Sequence, residues 1–248
     1  MLSRFWLGRI GAYGATSFAS MARRKAAKLN NMSKPKKTQN SAPRFDLAQD
    51  ERCIANGGGS GLDLSNHFLI AMPSMTDPVF GGTVIYLCEH NAQGALGLII
   101  NKPTDMTMQV LFERVDLKLE ISPQRPALPE HPVMFGGPVQ LERGFVLHSP
   151  VGMFSSMMQV TDEIALTTSK DILEAVAGGA GPEHLLVTLG CAGWSAGQLE
   201  EEIIRNGWLT VGADPSIIFD MPVEQRFAAA IRLLGFDPNM LAFEAGHA

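Results

Sequence analysis

Thr83-Val84-Ile85-Tyr86-Leu87-Cys88-Glu89-His90-Asn91, followed after Ala92-Gln93-Gly94 by Ala95-Leu96-Gly97-Leu98-Ile99-Ile100, is the stretch on which the fold turns. In the first run Val84, Tyr86, Cys88 and His90 share one face of an extended chain, and Thr83, Ile85, Leu87 and Glu89 share the other, because side chains alternate with period two. Both faces are apolar until the polar end Glu89-His90-Asn91. That pattern marks a central strand covered on both sides and leading into a polar mouth. The short connection makes the two runs a hairpin, closed by Asn101-Lys102-Pro103 because proline cannot donate to the ladder.

Working outward, Phe68-Leu69-Ile70-Ala71 is a short buried strand ended by Pro73, with Asp77-Pro78 marking a turn. Downstream, Val110, Leu111 and Val115 have helix-compatible spacing between Thr107 and Val115, and the Pro-rich stretch 122–132 reads as a loop. Strands are expected at Val133–Phe135, Gly144–His148, around Met157–Leu166 and at His184–Leu189. Thr168 and Asp171 resemble a capping box for a helix stopped by Gly178-Gly179. Helices are also expected from about Ala196 to Asn206 and from about Val223 to Leu234, the last with Phe227, Ile231 and Leu234 on one stripe. Strands dominate the first half and alternate with helices in the second. The predicted class is α/β (α+β): a mixed, strongly curved sheet with flanking helices.

The chain has 248 residues, 46% hydrophobic and 18% charged, which fits one globular domain, or at most two small ones, with a real core. Its charge is divided unevenly: residues 1–45 carry ten Lys or Arg and no acid, leaving ten bases against 25 acids in residues 46–248. The body is thus strongly acidic and lacks the basic surface on which nucleic-acid binding depends. The basic head reads as a disordered polycation, a transit peptide, or translated sequence upstream of a start at Met21 or Met32. Asn56-Gly57-Gly58-Gly59-Ser60-Gly61 reads as a linker, so residues 1–61 are head and linker and 62–248 a single domain. Cys53, Cys88 and Cys191 are too few and scattered for a disulfide framework or a Cys₄ zinc site, which favours a reducing compartment. Neither apolar run approaches the roughly 18 residues of a membrane helix, and no membrane association is expected.

Five ordered blocks resemble the YqgE/AlgH family. They are Phe68-Leu69-Ile70-Ala71-Met72-Pro73 with Asp77-Pro78, and Tyr86-Leu87-Cys88-Glu89-His90-Asn91 with Gly94, Gly97 and Asn101-Lys102-Pro103. Then come Gly136-Gly137-Pro138-Val139 with Arg143-Gly144-Phe145-Val146-Leu147-His148, Leu166-Thr167-Thr168-Ser169-Lys170-Asp171-Ile172-Leu173, and Ala192-Gly193-Trp194 with Gly197-Gln198-Leu199-Glu200. The resemblance spans about 64 to 236 and does not include the head. It implies a bacterial cytosolic protein, with some plant relatives, built of coiled sheets with flanking helices. Members of the family are sometimes labelled transcriptional regulators, and no biochemical activity defines it. No helix-turn-helix pattern accompanies that label here.

Gly193-Trp194-Ser195-Ala196-Gly197 matches the G-x-S-x-G elbow of α/β-hydrolases. Two features oppose a nucleophilic serine: the preceding strand is expected to end at Leu189, and only His247 follows to act as a base. Ser195 with Gln198 reads instead as a capping box, and Trp194 with Leu199 as a hydrophobic staple. Cys88-Glu89-His90 lacks the partners for a metal set, and Gly190, Gly193 and Gly197 do not form a dinucleotide turn. No catalytic residue, cofactor or metal is assigned.

The candidate ligand-binding residues sit where strands or a helix begin or stop: Glu89, His90, Asn91, Asn101, Lys102, Gly136, Gly137, Arg143, Gly193 and Trp194. Lys102, Arg143 and the amides near Ala196 would suit an anionic ligand. The glycines would equally serve turns, Trp194 the core, and Arg143 a surface ion pair. The leading expectation is a cytosolic, non-enzymatic protein with a regulatory role that binds a small anionic ligand or a protein partner. A hydrolase or transferase using Ser195 is the alternative. A third is a nucleic-acid-associated regulator acting through the head, whose binding would be steeply salt-sensitive and lost on deleting residues 1–45.

Overall fold

The computed structural model describes residues 63–119 and 127–235. The basic head, the glycine linker, Cys53 and His247 lie outside the described residues, as does part of the Pro-rich stretch. Ten strands form a curled, half-barrel sheet with flanking helices. In chain order they are β1 (His67–Ala71), β2 (Val84–Asn91), β3 (Gly94–Ile99), β4 (Pro103–Thr107), α1 (Met108–Arg114), β5 (Pro132–Phe135) and β6 (Val139–Ser149). There follow β7 (Met157–Gln159), β8 (Ala165–Thr167), α2 (Asp171–Ala177), β9 (His184–Ser195), α3 (Gln198–Ile204), β10 (Trp208–Gly212), α4 (Pro215–Phe219) and α5 (Arg226–Leu233). Single 3₁₀ turns at Leu128–Glu130 and Val223–Gln225 precede β5 and α5.

The sheet runs β10-β1-β2-β3-β9-β6-β8-β7, with β5 beside β9 and β4 beside β5. Every pairing is antiparallel except β5 with β9, so the sheet is mixed as the sequence predicts. β9 is its spine. Its first half pairs with β6, from Ser149 opposite His184 to Gly144 opposite Leu189, and its second half with β3, from Gly97 opposite Ala192 to Gly94 opposite Ser195.

On the edge opposite β6, β5 gives way to β3 around Gly190, whose φ is +73°. There the Gly136-Gly137 segment wedges between β3 and β9: Gly136 N–H donates to Leu189 O at 2.9 Å, and Gly136 O accepts from Ile99 N–H at 2.9 Å. A Cβ on Gly136 would lie 2.2 Å from Gly190 O, and one on Gly190 would lie 2.4 Å from Gly137 O. Only glycine permits this crossing of backbones.

The two faces of β2 enter two apolar layers, as its alternation predicts. Val84, Tyr86 and Cys88 pack with Phe68, Leu98, Met134, Leu186 and the helical residues Ile217, Ile218, Ala230 and Ile231 of α4 and α5. Ile85 and Leu87 pack with Leu69, Ile99, Trp194, Trp208 and Leu199 of α3. Helices therefore cover both faces of the sheet, and each fully buried Leu or Ile contributes about 1.5–3 kcal/mol.

Several boundaries differ from expectation. β9 does not stop at Leu189 but continues to Ser195, because on the edge opposite β6 it pairs first with β5 and then, from Ala192 onward, with β3. The following helix begins at Gln198 rather than Ala196, with Gly197 at φ +77° as its N-cap. The Met157–Leu166 segment forms two short strands, β7 and β8, that pair with each other. Thr168 is not a cap: its Oγ1 accepts from Arg143 Nη2 at 2.8 Å, and α2 starts after Lys170 without a side-chain cap. β4, β10 and α4 carry no expectation above, although Asp214-Pro215, a capping acid before a proline at the first helical position, is a start signal for α4. β4 and β10 are held by pairing with β5 and β1, which local pattern does not reveal.

Candidate functional site

The candidate residues gather most tightly around the corner between β9 and α3. A bulge at Cys88 shifts the β2–β3 register, so that Leu87 faces Gly97 but Glu89 faces Leu96 and His90 faces Ala95. Directly opposed residues share a side of the sheet. Leu96 belongs to the layer of Tyr86, and Ala95 to the layer of Leu87 and Trp194. His90 therefore lies on the opposite face from Val84, Tyr86 and Cys88, which corrects the alternation read from sequence.

There its ring is almost fully buried. Leu64 N–H donates to Nδ1 at 3.1 Å, and Nε2 lies 3.1 Å from Glu200 Oε1. Because Nδ1 is the acceptor, the ring proton sits on Nε2 and is donated to the carboxylate.

Two residues further along α3, Glu202 collects three donors. Trp194 Nε1 and Trp208 Nε1 reach its Oε2 at 3.0 and 2.9 Å, and Gln198 Nε2 reaches Oε1 at 3.1 Å. Phe80 completes an aromatic corner, its ring centroid 6.5 Å from that of Trp194 and 5.8 Å from that of Trp208. Asn101 and Lys102 secure the loop that brings Phe80 there. Asn101 Oδ1 accepts from Val84 N–H at 2.8 Å, its Nδ2 donates to Gly82 O at 2.9 Å, and Lys102 Nζ donates to Val79 O. Burial pulls the Lys102 ammonium below the usual lysine range, against the opposing effect of Asp77.

The remaining candidates lie apart from this corner. Asn91 donates to Glu89 Oε1 at 2.8 Å and accepts from Gln93 N–H at 2.7 Å, shaping the β2–β3 turn. Gly136 and Gly137 form the wedge at Gly190, whereas Gly193 has open space, a Cβ there meeting only Ala95 O at 4.0 Å. Arg143 stacks 5.7 Å over the Phe145 ring and donates to Thr168 and to Gln140 Oε1. Each cation thus has its own protein partner. The amides near Ala196 do not open a helix, since α3 is seven residues long, starts later and carries Glu200 and Glu201 in its first turn.

Ser195 is the last residue of β9, paired with Gly94. Its N–H and Oγ both donate to Gln198 Oε1 at 3.0 Å. β9 thus runs up to the serine, with only Ala196-Gly197 before α3, so the expected gap between strand and serine does not exist; what opposes a nucleophile is that among the described residues no histidine bonds to it. Cys88 and Cys191 are free, buried thiols. Burial raises both, Cys191 to about 12, which makes them poor nucleophiles.

On the other face of the sheet lies a cavity of about 520 Å³ between β5, the start of β9 and the α4–α5 pair. Apolar side chains such as Met134, Leu186, Phe219 and Val223 supply most of its lining. Arg226, at the first position of α5, also lines it and is 6% exposed. Its Nε donates to Met221 O at 3.0 Å and its Nη1 to Ile100 O at 2.6 Å. Burial lowers its pKa to about 10, Glu224 acting the other way, so the guanidinium remains charged at neutral pH. Sequence reading did not single out Arg226. The available signal was Ala229 and Ala230 three and four residues later, two small residues that let this side of the helix approach the sheet.

A curled mixed sheet, helices on both faces, a glycine crossing at the spine and an aromatic corner closed by α3 define the class of this protein. The chain belongs to the AlgH-like family (DUF179), whose model matches residues 68–239. It is 64% identical over 187 residues to a UPF0301 protein of Ralstonia nicotianae and 63% identical over 187 residues to one of Cupriavidus metallidurans, each match covering 75% of this chain and 96% of the relative. The solution structure of the AlgH protein from Pseudomonas aeruginosa is similar with a TM-score of 0.62 at 45% identity, covering 78% of this chain and all of that one. A crystal structure from Corynebacterium diphtheriae shares the fold at 17% identity with a TM-score of 0.55. Among the described residues no helix is long and apolar enough to cross a membrane.

Proposed function

We propose that the protein is a non-enzymatic binding protein of the cytosol, which takes a small ligand into the cavity between β5, β9 and the α4–α5 pair and acts in regulation through its occupancy. The observation that carries this reading is the cavity. Its volume of about 520 Å³ is that of a small-molecule site, with mostly apolar walls and a few polar groups to fix orientation. The commitment of Ser195 to Gln198 favours binding over acyl chemistry. The buried free thiols suit a reducing compartment, and the acidic body favours a small ligand or protein partner over nucleic acid.

The test is a fragment screen followed by amide chemical shifts of the full chain. Shifts are expected to gather at Met134, Leu186, Phe219 and Val223. Shifts confined to the outer surface would overturn the reading. So would turnover of a substrate together with fluorophosphonate labelling that disappears in Ser195→Ala.

A further inference from the structure

Resting on that reading, we infer that the cavity takes an apolar molecule carrying a single carboxylate, with the carboxylate held by Arg226. The Arg226 residue is only 6% exposed, yet no carboxylate among the described residues lies within ion-pair distance of it. Its two protein partners are the backbone carbonyls of Met221 and Ile100, and Nη2 bonds to no described residue. Glu224 acts on this charge without making an ion-pair contact, so the buried cation lacks a contact counterion, and arginine's planar fork matches a carboxylate in two-point contact.

The rest of the lining narrows the ligand. Met134, Leu186, Val187, Phe219 and Val223 offer an apolar body no hydrogen-bond partner through their side chains. Glu183 and Asp220 are the acids among the lining residues. Both are exposed, and Asp220 Oδ1 lies 3.3 Å from His184 Nδ1. Two carboxylates beside the opening repel a polyanion such as a nucleotide more strongly than they repel a single charge. His131 and His184, the other basic residues of the lining, are more exposed than Arg226. Size, apolar walls, one buried cation and acids at the exterior together select a monocarboxylate.

The probes are octanoate and octan-1-ol, titrated calorimetrically into the full chain and followed by amide shifts. Octanoate is expected to bind at least about tenfold more tightly than the alcohol, the usual effect of a charge-assisted hydrogen bond. Arg226→Met is expected to abolish that preference. If Arg226 only ties α5 to the end of β3, the preference is absent in the unaltered protein, which needs no variant to show it. A second readout, the Arg226 Hε shift on adding octanoate but not octanol, holds even if Arg226→Met does not fold. Equal binding of the two probes overturns the carboxylate inference and leaves the cavity as a binding site. If neither probe binds while other fragments do, the inference also fails alone. If nothing enters the cavity, both fail.

Discussion

His90 Nε2 and Glu200 Oε1 meet at 3.1 Å although 110 residues separate them in the chain, and the opposite ring nitrogen of His90 accepts the Leu64 N–H. The imidazole thus ties the segment before β1 to the first turn of α3. His90→Ala leaves the Leu64 amide without its acceptor and is expected to destabilise the protein by about 2–3 kcal/mol. Glu200→Gln, at a half-exposed carboxylate, is expected to change stability by less than about 1 kcal/mol. Urea unfolding of both variants checks the asymmetry; equal effects would mean that the Leu64 bond is not what the ring contributes.

Two glycines of β9 make a contrasting pair. Gly190→Ala forces a Cβ to within 2.4 Å of the Gly137 carbonyl at a φ of +73°, and is expected to lose about 3 kcal/mol or more, or to yield insoluble protein. Gly193→Ala meets its nearest atom at 4.0 Å and is expected to stay within about 1 kcal/mol of the parent. Thermal unfolding of the two variants separates a backbone crossing from an ordinary strand position. The sequence places both glycines in one motif-like series and does not distinguish them, because the crossing partner, Gly137, comes from another part of the chain.

Buried His148 donates through Nδ1 to Pro150 O at 3.1 Å and accepts at Nε2 from Thr167 Oγ1 at 2.9 Å. Burial lowers its pKa below the ordinary 6.5, outweighing the opposing effect of the Pro150 bond. The unfolded chain therefore binds a proton that the folded chain refuses as pH falls below 6.5. Stability contributed by the neutral ring is complete above that value and declines towards the lower folded pKa. Melting temperature is expected to drop between pH 7.5 and 5.5, and to drop less in His148→Gln. An equal slope in the variant would remove His148 as the cause.

Cys88 and Cys191 are expected to resist alkylation by iodoacetamide at pH 8 in the folded protein and to react fully in urea, because burial keeps both as thiols. Peptide mass mapping reads each cysteine separately. Rapid modification of Cys191 in the native state would mark it as a reactive site rather than a core residue.

Much of the fold was legible in sequence because it rests on local periodicity. The alternation of Val84 to Leu87 assigns two covered faces, and the structure packs those faces into two separate layers. The hairpin with β3 and the strand at β1 were readable in the same way, whereas the family was readable from the resemblance of five motif blocks. His90 was misplaced because a single bulged residue at Cys88 reverses every face beyond it, and a bulge is settled by the partner strand. The extension of β9 to Ser195 likewise depends on β3 following β5 along the edge opposite β6.

The candidate site was legible only as a set of residue types. Asn101, Lys102, His90 and Trp194 are drawn towards one corner, yet their side chains serve as clamps and caps there, while Arg143 has partners elsewhere. Arg226 went unread because its local signal, the small residues Ala229 and Ala230, marks a close approach of the helix and does not announce a buried arginine. Its place beside the cavity is decided by Ile100, 126 residues away, whose carbonyl it reaches across the end of the sheet. Sequence by itself determined most of the strands and the two layers, which follow from the spacing of apolar side chains, and the family, which follows from the resemblance of its ordered motif blocks. Which polar groups are buried, and against what, was decided only by tertiary structure, because desolvation depends on segments that the chain brings together from a distance.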